Sequence, residues 1–492
     1  MGSTGDVSLT ASVFDEDVFE YHVSLLRPGN PRPGNGEHCL APIVASCVFA
    51  HASGLDQTVQ FGLLAGDRSK LRSADSLVTD DPRIFFNVTP PSSTFICGSQ
   101  GSGKSHTLAC ILENCLIPCR VGRLSSPLTA LVFHYDTFIS DNMGSPCEAA
   151  FLATHSQLDV RVLCSPTNLR TIKGTYSRFN ITVAPLELDQ EHLNTQRMLD
   201  LMAVGQDESP MPLYMHTVKR ILRDMRITQQ EHETGFDYQG FKQRLMSSNL
   251  SQAQLEPLSQ RLDTLESFMP KSQTGKARAT KGKKSGGSIW EPQARQLTII
   301  DLSCPCISPE TACSLFNICA SIFLEQKPSI GRVMALDEAH KYMNKSVEAR
   351  GFTETLLSAV RLQRHLGVRM IISTQEPTIS TALLNLCSTT IVHRFSSPEW
   401  LHVLQKHLAG ATVNHLAAQH GSSNDDEELR SLFGQVVELE VGEALIFSPS
   451  AIVRATCLGD GRVAFTRLGS GRLYVKIRQR VTCDGGKSLI SL

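Results

Sequence analysis

The sequence predicts an α/β protein, a sheet flanked by helices and built around a phosphate-binding loop. Three stretches carry that expectation. "TFICGSQGSGKSHTLACIL", Thr94 to Leu112, is an apolar run, a glycine-rich turn and then a helical pattern. "RVMALDEAHKYM" is a second apolar run, ending in Asp337 and Glu338. "GVRMIISTQEPT" is a third, ending in Ser373, Thr374 and Gln375.

The first stretch fits G-x-x-x-x-G-K-[ST] at Gly98, Gly103, Lys104 and Ser105. Such a loop curls backbone N–H groups round a polyphosphate, which glycines permit. The nucleotide-binding stretch is Gly98, Ser99, Gln100, Gly101, Ser102, Gly103, Lys104, Ser105 and His106. Lys104 reaches the phosphates and the Ser105 hydroxyl ligates Mg²⁺, so ATP with Mg²⁺ is the expected ligand. Phe95-Ile96-Cys97 reads as a buried strand entering the loop. Leu108, Ile111, Leu112, Cys115 and Leu116 recur at helical spacing after it. A helix N-terminus thus faces the phosphates, as anion binding requires.

Binding becomes hydrolysis only with carboxylates. Val333 to Leu336 form a short strand whose carboxyl end presents Asp337 and Glu338, where ligands gather in open parallel sheets. Asp337 is the candidate Mg²⁺ carboxylate and Glu338 the candidate base. If the strand of "GVRMIISTQEPT" lies between the other two, Gln375 arrives beside the γ-phosphate. Arg361 and Arg364, on the helix before that strand, and Arg394, in "TTIVHRFSSPEW", are candidate arginine fingers. Arg394 follows a short strand, which the sequence places at the sheet edge, within reach of a neighbouring subunit.

The rest of the chain divides by pattern. Residues 1–90 hold short strand-like runs, "EYHVSLL", "APIVASCVF" and "QTVQFGLL", cut by the turn-rich "PGNPRPGNGE". Residues 91–187 hold the phosphate loop and a second strand, "ALVFHYD". Residues 188–270 are polar and helical, with Leu258, Leu262, Leu265 and Phe268 on one face. Residues 271–288 form a basic, Gly/Ser-rich linker expected to be disordered. Residues 289–450 resume the α/β pattern, with an acidic surface loop at 421–429, and 451–492 form a strand-bearing C-terminal extension.

Composition bounds the function. Forty-seven Lys and Arg against 48 Asp and Glu give a net charge of −1, which argues against a globally basic nucleic-acid coat. No apolar run reaches the ~18 residues of a membrane helix. The N-terminus lacks an apolar signal core. The 15 cysteines are odd in number and scattered, without paired zinc spacing. They read as reduced thiols of an intracellular protein, cytoplasmic or nuclear.

The ordered set of loop, "LTIIDLS", "VMALDEAH", "RHLGVRMIISTQEP", "IVHRFSSPEW" and "VGEALIF" resembles the HerA/FtsK group of P-loop ATPases, above all its HerA-like branch. The resemblance spans about 94–450. It implies a RecA-like sheet, a homo-oligomeric ring, commonly a hexamer, and DNA as a substrate of several members. It implies that Lys104 and Ser105 bind ATP-Mg²⁺, Asp337 holds the metal, Glu338 is the base and Gln375 the sensor. It implies trans-acting roles for Arg364 and Arg394. A short N-terminal region and a stretched interval between Lys104 and Asp337 depart from the bacterial pattern.

Three functions compete at this stage: a nucleic-acid translocase, an ATPase that remodels a protein partner, and a DEAH-box helicase. The third fails, because those enzymes set the DEAH much closer to the loop and carry a second RecA-like domain. In the C-terminal "GRLYVKIRQR", Arg472, Tyr474, Lys476, Arg478 and Arg480 share one strand face, which can meet a polyanion, as the first function needs, or equally protect an edge strand by charge.

Overall fold

The computed structural model describes residues 40–51, 59–72, 81–138, 144–202, 213–274, 289–326, 330–408, 432–458 and 463–483. The run "EYHVSLL", nearly all of the basic linker and the acidic loop lie outside them. The strands are β1 (Ile43–Ala45), β2 (Phe61–Asp67), β3 (Arg83–Asn87), β4 (Ser93–Cys97), β5 (Gly122–Arg123), β6 (Thr129–His134), β7 (Asp159–Cys164) and β8 (Thr182–Pro185). They continue with β9 (Gln296–Asp301), β10 (Arg332–Leu336), β11 (Val368–Thr374), β12 (Thr389–Val392), β13 (Glu443–Phe447), β14 (Ile452–Cys457), β15 (Val463–Arg467) and β16 (Leu473–Ile477).

They form one mixed sheet in the order β15-β14-β1-β3-β2-β16-β13-β12-β4-β11-β10-β6-β9-β7-β8, with β5 beside β2. From β12 to β8 every neighbouring pair is parallel. From β12 outward the pairing turns mostly antiparallel, through β13, β16, β2 and β3. The N-terminal strands therefore continue the same sheet.

Helices cover both faces because the central strands are apolar on both. Phe95, Phe133, Met334 and Leu336 point into one core, and Ile96, Val132, Val333 and Ala335 into the other. This is the period-two alternation of a strand sandwiched between two helix layers. Helix α1 (Lys104–Leu116) fills the second core with Leu108, Ile111, Leu112 and Leu116. The first core takes α2 (Thr195–Met202), α3 (Leu213–His232), α4 (Tyr238–Met246), α5 (Gln252–Ser267), α6 (Pro309–Glu325) and α7 (Val347–Arg361). Leu258, Leu262 and Leu265 of α5 are all fully buried.

One segment departs from its strand-like pattern. "APIVASCVF" keeps only the three residues of β1 and turns into a short helix at 46–51. Val44 and Val48, four apart, are buried in the same small core, and Phe49 stacks on Phe61 with ring centroids 4.4 Å apart. Val48, on the helix, packs into that core with Ile452 and Ala455, and this burial outweighs the β propensity of the run.

Two buried arginines tie the ends of the central strands opposite the loop. Arg332 donates to the carbonyls of Phe323, Leu324, Gln326 and Leu366. Arg369 donates to Val88, Thr89 and Gly367.

Candidate active site

Strand order decides the site. β11 lies between β4 and β10, so the loop after β4, the Asp337-Glu338 pair after β10 and Gln375 after β11 open on one cleft at the carboxyl ends of three neighbouring strands.

The phosphate loop is shaped by its glycines. Gly98 has φ +152° and Gly103 φ +109°, conformations that side chains disfavour. A Cβ on Gly98 would lie 2.7 Å from the His393 Cβ, and one on Gly103 3.2 Å from the Gly442 nitrogen. The loop is held from inside. Lys104 Nζ donates to the Ser99 carbonyl at 3.0 Å, and Ser102 Oγ donates to the same oxygen at 2.7 Å. No side chain caps α1 at Gly103, so the helix end faces the cleft. Burial pulls Lys104 below its ordinary value, and Glu338 and Asp337 pull it back up. Ser105 and His106 are half-buried in the cleft wall, and Gln100 and Gly101 are exposed.

Across the cleft, Gln375 Nε2 donates to Glu338 Oε2 at 3.1 Å. Glu338 sits in the left-handed region at φ +48°. Adjacent strand residues ordinarily point to opposite faces, and this turn brings Glu338 to the cavity that Lys104 lines while Asp337 stays buried. A non-glycine residue held there is strained, at a cost on the order of 1–3 kcal/mol, and such strain collects at functional sites. His340 is a site residue that the sequence reading passed over, although it closes the "DEAH" letters. Its Nδ1 accepts from the Gln375 N–H at 3.3 Å, which leaves Nε2 facing Glu338 Oε2 at 3.4 Å. Burial, the largest influence, holds His340 below its usual value.

Asp337 is 2% exposed. Its Oδ2 lies 3.3 Å from His134 Nδ1 and 3.6 Å from Cys147 Sγ, while its Oδ1 is buried without a hydrogen-bond partner. Burial alone would raise the Asp337 carboxyl, but the hydrogen bond and charge of His134 outweigh it and hold it low. Burial likewise works against the imidazolium of His134, and Cys147 and Asp337 reverse the balance and raise it. Neither partner has a local signal in the sequence. Both arrive through the fold.

The arginines need correction. β12 is not at the sheet edge, because β13 and β16 pair outside it. The Arg394 carbonyl accepts from Ser99 N at 2.8 Å and Ser99 Oγ at 2.9 Å, so the Arg394 backbone rests on its own phosphate loop. Arg394 therefore sits beside its own phosphate loop and not at an outer edge. Arg394 itself is exposed. Arg361 and Arg364 are exposed at the amino end of β11, seven residues, or roughly 20 Å, from the carboxyl end.

The C-terminal strand also departs from expectation. Arg478 Nη1 pairs with Glu113 Oε2 at 2.7 Å, and Arg480 Nη1 with Glu148 Oε1 at 2.7 Å, both arginine side chains being buried. Glu113, 0% exposed on α1, further accepts from Val481 N, Thr482 N and Thr482 Oγ1. Tyr474 is covered by the Arg68 guanidinium, 4.3 Å from its ring centre. A buried carboxylate, Glu113, and a half-buried one, Glu148, thus claim cations that alternation alone assigned to solvent. The strand instead walls the cleft. A cavity of about 380 Å³ is lined by Gly103, Lys104, Ser105, His106, Glu338, Lys476, Arg478 and Gln479. A larger groove of about 580 Å³, bordered by Gln196, Asp200, Lys219, Asn317 and Glu354, lies on the helical side, away from these groups.

No family model and no curated protein matches the chain. Among solved structures, VirB4 of Thermoanaerobacter pseudethanolicus is a neighbour at 10% identity and TM-score 0.40, covering 86% of this chain and 97% of that one. The bacterial conjugative coupling protein TrwB is a neighbour at 12% identity and TM-score 0.39, covering 80% and 87%. The genome packaging NTPase B204 of Sulfolobus turreted icosahedral virus 2, in complex with AMPPCP, gives 12% identity and TM-score 0.21, covering 35% and 67%.

Proposed function

We propose that this chain is a P-loop ATPase of HerA-like type, hydrolysing ATP to drive a mechanical step, with nucleic-acid translocation as that step. The observation that carries the reading is the contact of Gln375 with Glu338 across the cleft from Lys104. Three separate motifs converge there only because β11 is inserted between β4 and β10.

Each role follows from position. Lys104, freed from the Ser99 carbonyl, neutralises phosphate oxygens, and the backbone of residues 98–103 cradles them. Mg²⁺ would be held by Ser105 and oriented by Asp337, whose unpartnered Oδ1 fits a cation-ligating role. When bound, the ion neutralises charge on the phosphates. Glu338 takes the proton of the attacking water. Gln375 and His340 fix the Glu338 carboxylate, and the Gln375 amide can pass from it to the γ-phosphate. Arg394 lies close enough to serve its own nucleotide, and Arg364 can serve only a neighbour's, which the proposed homo-oligomeric ring would supply.

A second reading has its own support. Arg478, Arg480 and Tyr474 are spent inside the protein. That leaves Arg472 and Lys476 of the four cations on the strand face, and the net charge is −1. An ATPase that remodels a protein partner fits these facts. Steady-state ATP turnover with and without single- and double-stranded DNA separates the two. Stimulation by DNA supports translocation, and turnover indifferent to both forms of DNA supports the protein partner.

A further inference from the structure

β6 and β10 are parallel neighbours, and the Asp337 N–H donates to the Phe133 carbonyl at 3.0 Å. This sets His134 beside Asp337. Cys147, at the start of the turn of helix Glu148–Thr154, closes the group. One ligand atom from each of the three lies within 4.8 Å of the others, and all three residues are buried. His134 faces Asp337 Oδ2 at 3.3 Å, and Asp337 Oδ1 has no hydrogen-bond partner within the protein.

The spacing has a chemical meaning. Zinc bonds to nitrogen and oxygen at about 2.0 Å and to sulfur at about 2.3 Å, tetrahedrally, which sets neighbouring ligand atoms roughly 3.3–3.6 Å apart. Asp337 Oδ2 lies 3.3 Å from His134 Nδ1 and 3.6 Å from Cys147 Sγ. A thiol, an imidazole and a carboxylate form a set that suits zinc and poorly suits Mg²⁺. An outer layer positions the thiol: the Cys147 N–H donates to Tyr176 Oη at 2.9 Å, and that hydroxyl donates to Asp301 Oδ2 at 2.7 Å.

We propose that His134, Cys147 and Asp337 form a binding site for a thiophilic divalent cation of the zinc class. Binding expels the Cys147 thiol proton and the proton shared by His134 and Asp337 to solvent, leaving thiolate, neutral imidazole and carboxylate on the ion. The fourth position is left to water. A cation held there takes the carboxylate that the ATPase reading assigns to Mg²⁺, so occupancy would slow ATP turnover. That consequence rests on the ATPase reading, whereas the cation site does not.

The test uses the full chain, stripped of metal with a chelator and titrated with cobalt(II). Wild type should bind one equivalent with a thiolate-to-cobalt charge-transfer band. Cys147→Ser, with an unchanged circular dichroism spectrum, should lose both, while Cys306→Ser, at an exposed thiol, should keep both. His134→Gln should retain the thiol and weaken cobalt at least roughly tenfold, by analogy with losses at metal sites. Absence of cobalt binding in wild type, or an undiminished band and stoichiometry in Cys147→Ser, overturns the proposal. Zinc inhibition of ATP turnover in wild type, relieved in Cys147→Ser, is the readout of the consequence. A protein that binds cobalt through Cys147 yet never hydrolyses ATP sinks the ATPase reading and leaves the cation site standing.

Discussion

Lys104 is buried, and its Nζ already points into the loop at the Ser99 carbonyl. Its ammonium is placed for phosphate and contributes little to packing. Lys104→Ala should keep the fold and weaken ATP binding roughly 10–100-fold, the scale of one or two charge-assisted hydrogen bonds. Titration with a fluorescent ATP analogue checks this, and unchanged affinity removes Lys104 from the site. His393, 0% exposed beneath the loop, meets Thr107 Oγ1 at 2.9 Å and the Glu443 carbonyl at 2.9 Å. Burial pushes it down to about 4 from an ordinary 6.5. A base depressed in the folded state stays neutral there while the unfolded chain takes up a proton. Stability is therefore unaffected above pH 6.5 and falls as pH drops from 6.5 toward 4, by about 3 kcal/mol from this group. Urea unfolding across that window should show a shallower pH slope in His393→Gln than in wild type, and equal slopes contradict the assignment.

Among the elements, the loop was legible in the sequence because its signal is local: glycine spacing, then Lys-Ser, then a helix. The Asp337-Glu338 strand end was legible for the same reason. Gln375 was legible only as a condition, since its place depends on strand order, which pairing across distant segments decides. The strap over α1 was not legible. Glu113 and Arg478 meet across 365 residues of sequence, and nothing near either marks the other. Alternation placed Arg478 and Arg480 on a solvent face, but the carboxylates of Glu113 and Glu148 draw them inward. Glu113→Ala should therefore release residues 478–483 and leave β16 paired to β13. Hydrogen exchange should quicken at Val481 and Thr482, and unchanged protection there would contradict the strap. Arg332 gives the sheet a second anchor at its other end. Arg332→Met leaves four carbonyls, one of them fully buried, without this donor and should destabilise the protein by about 3 kcal/mol, read by urea unfolding.

At the scale of the whole molecule, β13 and β16 turn the expected edge into an interior, and that changes which arginine can serve which site. Arg394 lies on its own loop, and Arg364 lies at the far end of β11. Mixing Arg364→Ala with Glu338→Gln protomers should restore part of the turnover, since a ring interface joining the two carries one complete site. Mixing Arg394→Ala with Glu338→Gln should stay inactive. Rescue in the second mixture would return Arg394 to a trans role. Failure in the first, with co-assembly demonstrated, would leave the ring without its proposed finger. Helices α2 to α5 close one face of the sheet, and α5 buries Leu258, Leu262 and Leu265, the stripe that marks it in the sequence.

In the proposed ATPase, Glu338 is the base of a cleft formed by β4, β10 and β11. The most direct measurement is steady-state ATP hydrolysis by wild type and Glu338→Gln, with nucleotide binding measured on the same samples. The variant should bind ATP with affinity close to wild type and turn it over roughly 10²–10⁴-fold more slowly, the range that a positioned base supplies. A folded Glu338→Gln protein that hydrolyses ATP at the wild-type rate would contradict that role.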